Sequence, residues 1–232
     1  MSMTMTSLEA GALYRLMAWL SPAYPTGAFS YSHGLEYAVE AGLVGKAGSL
    51  AGWVRTVVEK GAGWIDAVIL AEAWRAAAAA DLARLGDIAI LAAAWRGTAE
   101  MALESEAQGR AFLAATRAAW PHPLLDALAG SSETIALPVA VGAAAGAAEI
   151  PLDLSLQAYL QSLAGNLVSA GLRLIPLGQT DGQRVIAGLA PVVAETARLA
   201  LAAEIETAGS AAPLIDWCSM QHETQYTRLF RS

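Results

Sequence analysis

Ser30, Ser32 and His33 stand almost consecutively, and a serine hydroxyl near an imidazole is the raw material of nucleophilic catalysis. The string Ser30-Tyr31-Ser32-His33-Gly34 does not form a G-x-S-x-G elbow, and triad members meet in space rather than along a chain. A hydrolytic site built on these three residues is therefore an alternative and not the leading reading. His222-Glu223 opens like the zinc-binding H-E-x-x-H, but Tyr226 stands where the second imidazole belongs. His33, His122 and His222 lie far apart in sequence, and the one cysteine, Cys218, excludes an intrachain disulfide or a multi-thiolate cluster. Gly45-Lys46-Ala47 lacks the hydroxyl and the glycine spacing of a P-loop, so hydrolysis of a nucleotide by this chain alone is not expected. The expectation is no catalytic residue, no resident metal and no cofactor.

Three other stretches carry recognition chemistry. Residues 21–34 hold Pro22, Pro25 and Gly27 among Tyr24, Phe29, Tyr31 and His33, a rigid bend bearing aromatics. It reads either as a recognition surface or as a helix–loop–helix corner capped by Ser30 or Ser32. Ser162, Asn166, Ser169 and Arg173 recur at helical spacing opposite the apolar stripe Leu156, Leu160, Leu163, Leu167, Ala170 and Leu174. That polar row is either a solvated face or a seam against another helix or a wet passage. The closing residues include His222, Tyr226, Leu229, Phe230, Arg228 and Arg231, types that anchor interfaces. Continued as a helix, this stretch would put Cys218, His222, Tyr226 and Leu229 on one stripe. It docks either on its own domain or on a partner.

The elements that must position these residues are helices. Alanine is abundant, as in the run 76–80, and costs a helix no side-chain entropy. Helices are expected over 8–20, about 30–41, a stretch from an N-cap at Ser49 with a possible division at Gly61 or Gly63, 98–120, about 153–175 with Asp153 as cap, and from beyond the turn 178–182 to about 205. Asp81 and Asp87 are further cap candidates. The tryptophans Trp53, Trp64, Trp74, Trp95 and Trp120 fall in helical patterns and read as core. The fold class is all-α: one helical-bundle domain over 1–210 and a partner-docking tail over 211–232.

Composition narrows the partners. The 232 residues are 56% hydrophobic and 15% charged, against roughly 25% charged in ordinary soluble domains. A formal net charge of −7 argues against nucleic acid. Mean hydropathy is +0.43, yet the best apolar run, 135–148, is shorter than the ~18 residues a span requires and contains Pro138, Gly142 and Gly146. No membrane span or signal peptide is expected, which suits a cytoplasmic protein. A charge-poor surface suits one covered by partners.

Three strings carry a family resemblance. Ser21-Pro22-Ala23-Tyr24-Pro25-Thr26-Gly27-Ala28-Phe29-Ser30-Tyr31-Ser32-His33-Gly34-Leu35-Glu36 resembles the N-terminal signature of the UreF family of urease accessory proteins. Pro176-Leu177-Gly178-Gln179-Thr180-Asp181-Gly182-Gln183-Arg184 and His222-Glu223-Thr224-Gln225-Tyr226-Thr227-Arg228-Leu229-Phe230-Arg231-Ser232 resemble its second block and closing signature. The resemblance implies an all-α, non-enzymatic adaptor in nickel metallocentre assembly. It implies binding to a UreD/UreH-like scaffold protein, recruitment of the nickel-carrying GTPase UreG to apo-urease, and a homodimer. It implies partner contacts at Pro22, Tyr24, Pro25, Gly27, Phe29, Ser30, Tyr31, His33, Glu36, Gln179, Arg184, His222, Glu223, Tyr226, Arg228, Leu229, Phe230 and Arg231. The polar row from Ser162 to Arg173 is then a candidate nickel route. An alternative role is activation of the GTPase, with Arg228 or Arg231 as an arginine finger.

Overall fold

A computed structural model describes residues 7–131 and 134–232. The described residues form eleven α-helices and two 3-10 turns, with no strand among them. The helices are α1 (Ser7–Trp19), α2 (Leu35–Glu40), α3 (Ala47–Lys60), α4 (Ala62–Ala78), α5 (Leu82–Ala94) and α6 (Ala99–Ala119). Then come α7 (Pro123–Ser131), α8 (Leu137–Ala147), α9 (Leu152–Leu174), α10 (Gln179–Ala200) and α11 (Pro213–His222).

The centre is the pair α4 and α8. Alanine and glycine let their backbones approach, which larger side chains would prevent. A Cβ on Gly142 would lie 2.5 Å from the Leu70 carbonyl oxygen, and one on Gly146 2.5 Å from that of Trp74. The apolar run 135–148 is thus a helix buried on nearly every side, a role that explains its hydropathy without a membrane. No helix among the described residues is long and apolar enough to cross one. α6 presses on the start of α8 at Gly109, and α9, α10 and α3 pack along the other flank of α4. α11 lies across α2 and α6.

Local signals place several ends as expected. Thr98 accepts the Met101 N–H at 3.2 Å to cap α6, and Asp81 accepts the Arg84 N–H at 2.9 Å to cap α5. Gly61 divides α3 from α4. Leu156, Leu160, Leu167 and Ala170 are buried, with Leu163 and Leu174 half-buried beside them.

Other expectations are corrected. Asp87 lies inside α5, and Asp153 in the first turn of α9, whose N-cap is Pro151. Ser49 is the third residue of α3, where its hydroxyl accepts the Gly45 and Lys46 N–H groups. The stretch 30–41 is not one helix: a 3-10 turn (Ala28–Ser30) is followed by left-handed residues His33 (φ 57°) and Gly34 (φ 74°) before α2. Gly34 is required there twice over, because a Cβ would also sit 2.8 Å from the Ser219 backbone nitrogen of α11. Residues 179–182 form the first turn of α10 rather than a loop, and α10 ends at Ala200. α7 and α8 add two helices to those expected from the sequence.

Candidate functional site

The bend after α1 and the polar row of α9 meet around one cavity of about 480 Å³, and the closing residues pack behind it against its lining residues Glu104 and Arg173. Its outer wall carries Phe29, Asn166, Ser169 and Arg173; its inner wall carries Asp66, Arg96, Tyr159, Glu104 and His33. The row on α9 is therefore a seam bordering a cavity, not a face turned wholly to bulk solvent. Ser162 donates to the Leu20 carbonyl at 2.9 Å, which ties α9 to the end of α1.

The inner wall is a connected set of charges. Arg96 Nη1 meets Asp66 Oδ1 at 2.7 Å, and both side chains are more than nine-tenths buried, at 6% and 8% exposure. The Tyr159 hydroxyl donates to Asp66 Oδ2 at 2.6 Å. Burial and the neighbouring Asp66 charge push the Tyr159 hydroxyl well above its usual range, so it remains a neutral donor. His33 Nδ1 lies 3.3 Å from Glu104 Oε2, which also accepts the Ser232 hydroxyl at 2.8 Å. Burial opposes charge on His33, but the charge and hydrogen bond of Glu104, helped by Asp66, raise its pKa overall. Burial likewise works against ionised Glu104, and His33 with Ser232 outweighs it, lowering that pKa.

This pair sets a pH window. The His33 contribution to stability is complete below its ordinary value and lost as pH rises through its raised folded value. The Glu104 contribution is complete above its ordinary value and lost as pH falls through its lowered one. Urea midpoints measured against pH should show the advantage of the native chain over His33→Gln shrinking on the alkaline side. A difference that stays constant there would contradict this coupling.

The tail folds onto its own domain. Helix α11 stops at His222, so the stripe expected to continue through Tyr226 and Leu229 is not formed. The His222 ring is fully buried between two carboxylates, with Nδ1 2.7 Å from Glu100 and Nε2 3.0 Å from Glu36. Glu36 also accepts the Leu229 and Phe230 N–H groups at 2.6 and 2.9 Å. Arg228 reaches Glu100 at 3.1 Å, and the Arg231 N–H donates to the Ser30 carbonyl at 2.8 Å. Phe230 is buried, with the Arg173 guanidinium 4.2 Å from its ring centre. Arg231 stands 5.7 Å over Tyr31.

The remaining candidates divide by exposure. Tyr24 is half-buried, its hydroxyl 2.8 Å from that of Thr116 and its ring against Phe112. Gly27 adopts φ 73° as the bend requires. Pro22, Pro25, Phe29, Gln179, Arg184, Glu223, Tyr226 and Leu229 face outward, with Arg184 paired to its neighbour Asp181 at 3.0 Å. Glu36, His33, Tyr31, His222 and Phe230 are interior in this conformation.

Chemistry at Ser30, Ser32 and His33 lacks its required geometry. The Ser32 hydroxyl donates to the Ser232 carbonyl and accepts the Glu36 N–H, while the His33 ring bonds Glu104. The nucleophile–base contact is not made among the described residues. Nor, among them, do three or more His, Cys, Asp or Glu converge as a metal site.

Sequence reasoning missed Asp66, Arg96, Glu104 and Tyr159. A signal was present in Asp66, the one charged residue in the apolar stretch 61–71.

A family model described as UreF matches residues 44–190, more than half of the chain. A urease accessory protein UreF of Bradyrhizobium sp. (strain BTAi1 / ATCC BAA-1182) is 52% identical over 231 residues, covering 100% of this chain and 96% of the relative. Those of Granulibacter bethesdensis and Rhodopseudomonas palustris (strain BisA53) are 56% and 52% identical, covering 98% and 96% of this chain and 97% and 94% of theirs.

Proposed function

Because this chain belongs to the UreF family of urease accessory proteins, we propose that it works as a non-enzymatic adaptor in the nickel loading of urease. In this reading it binds a UreD/UreH-like scaffold, recruits the GTPase UreG to apo-urease, and acts as a homodimer in the cytoplasm. The observation that carries the reading is the set of large apolar side chains left outside a well-filled core. Leu214, Trp217 and Met220 of α11 are 52%, 44% and 48% exposed, and Tyr226 and Leu229 follow them outward. A second exposed group, Tyr14 and Met17 of α1 with Phe29 of the bend, is 67–70% exposed. Apolar and aromatic residues of this size are what interfaces bury at their centres.

The tail thus offers a partner one face while its other face holds to the domain. Arg228 is engaged with Glu100, which favours recruitment over use of this arginine as a finger in the GTPase site. The polar row Ser162, Asn166, Ser169 and Arg173 borders the cavity and is the proposed path for nickel in the assembled complex.

The test is reconstitution with the scaffold, the GTPase and apo-urease. Trp217→Ala with Tyr226→Ala should weaken scaffold binding by at least about tenfold, as for anchor residues, while leaving the isolated chain folded with a thermal midpoint lowered by only a few degrees, the loss of the Trp217–Tyr37 ring contact. Asn166→Leu with Ser169→Leu should preserve assembly and lower urease activation. Unchanged scaffold affinity in the first variant would overturn the adaptor surface; lost assembly in the second would assign the row to packing.

A further inference from the structure

Two guanidiniums stand at the mouth of the cavity with no carboxylate to meet. Arg173 closes the polar row of α9 and lines the cavity, and Arg231 lies over Tyr31, which lines it too. Both arginines are exposed, and neither forms an ion pair among the described residues. Acidic residues outnumber Lys and Arg by 21 to 14 in this chain, so two unpaired arginines at one mouth run against the composition.

The neighbouring carboxylates are engaged elsewhere. Asp66 holds Arg96 and Tyr159 on the inner wall, and Glu104 accepts from Ser232 and Gln108 behind it. Asp181, at the start of α10, accepts from Arg184 at 3.0 Å and from the Gly178 N–H at 3.3 Å.

Each guanidinium is set against an aromatic ring. The central carbon of Arg173 is 4.2 Å from the Phe230 ring centre, and that of Arg231 is 5.7 Å from the Tyr31 ring centre. Both rings are buried and fixed by their surroundings, so the cations are placed in advance. Arg173 Nε reaches the Ser169 carbonyl at 3.4 Å, which leaves its two Nη groups as open donors. A guanidinium so held offers a carboxylate a paired set of N–H groups. Phe29, 69% exposed, lines the same cavity and adds an apolar face to the charged one.

We infer that this mouth docks an acidic segment of a protein partner, its carboxylates pairing with Arg173 and Arg231 and an apolar side chain resting against Phe29. The inference deepens the adaptor reading, on which it rests for the source of the segment, by naming the chemistry that one partner brings. A nucleic acid would offer phosphates instead, and a formal net charge of −7 opposes so dense a polyanion.

The probe is a short fluorescein-labelled peptide of glutamates with one leucine at its centre, titrated into the full chain at low salt. Saturable binding that weakens steeply with added salt is expected. Arg173→Gln with Arg231→Gln should lower the affinity about fivefold or more, the scale of two exposed ion pairs. Arg231 holds the closing segment through its backbone N–H, which glutamine keeps, so hydrogen exchange at Phe230 should stay native. If the segment loosens instead, Arg231→Gln alone, which leaves Arg173 against Phe230, decides the matter: unchanged affinity there overturns the inference. Arg55→Gln with Arg110→Gln removes the same charge from exposed positions that do not line the cavity, and should leave the affinity as it was. No saturable binding, equal loss in the two double variants, or tighter binding of a single-stranded oligonucleotide of equal charge would each overturn the inference. Every arm uses the isolated chain, so scaffold affinity of the Trp217 and Tyr226 variant still judges the adaptor reading separately.

Discussion

Glu36→Ala should detach residues 223–232 from the domain and lower stability by about 3 kcal/mol, the scale of breaking a buried charged network. One carboxylate, buried at 7% residue exposure, accepts from the Leu229 and Phe230 N–H groups and meets the buried His222 ring. Alanine removes all three contacts and supplies no acceptor. Two backbone donors and an imidazole are left in an apolar site, and the segment relieves that by moving into water. Hydrogen exchange at Leu229 and Phe230 should rise to near that of an unfolded peptide, and trypsin should cut at Arg228 and Arg231. Glu40→Ala is the milder comparison: it removes one side-chain bond to the half-buried Gln225 but leaves the acceptor of the Leu229 and Phe230 N–H groups in place, so it should raise exchange there far less. Equal protection in Glu36→Ala and the native chain would mean that apolar packing of Phe230 alone holds the segment.

Gly146→Val should prevent folding or cost at least ~4 kcal/mol, at the severe end of single-residue effects. The α4–α8 contact is made by backbone: a first side-chain carbon on Gly146 would already lie 2.5 Å from the Trp74 carbonyl oxygen and 3.0 Å from Ala77 Cβ. Backbone cannot rotate away as a side chain tip can, so the helices must separate, and both are central. Gly188→Ala in α10 makes the contrast. Nothing lies within 4 Å of a Cβ there, and the loss of glycine freedom should stabilise the helix by roughly 0.5–1 kcal/mol. Chemical denaturation of the two variants checks both signs. A folded Gly146→Val chain of native stability would show that the two helices are not held this closely.

What the sequence made legible was local. The caps at Thr98 and Asp81 and the buried stripe of α9 depend on neighbours within four residues, so spacing alone reveals them. The helix ends that moved, at 31–34 and after His222, are set by contacts across the chain. Gly34 must pass the α11 backbone, and His222 ends its helix between carboxylates 186 and 122 residues away. The bend and the polar row were visible as candidates, but their meeting at one cavity was not, since α4 and α6 lie between them in sequence. Arg96 and Glu104 looked like ordinary helix-surface charges because charge alone does not reveal burial. The run 135–148 stood out for its hydropathy but not as a helix, because a segment hydrophobic on all sides has no period by which spacing reveals one.

Glu104 and Arg173 each touch the closing segment on one side, through Ser232 and Phe230, and border the cavity on the other. The two regions therefore share a thermodynamic cycle. Whatever molecule favours one placement of residues 228–232 favours, by the same free energy, the cavity shape that accompanies it, and an occupant of the cavity exerts the reverse pull with equal strength.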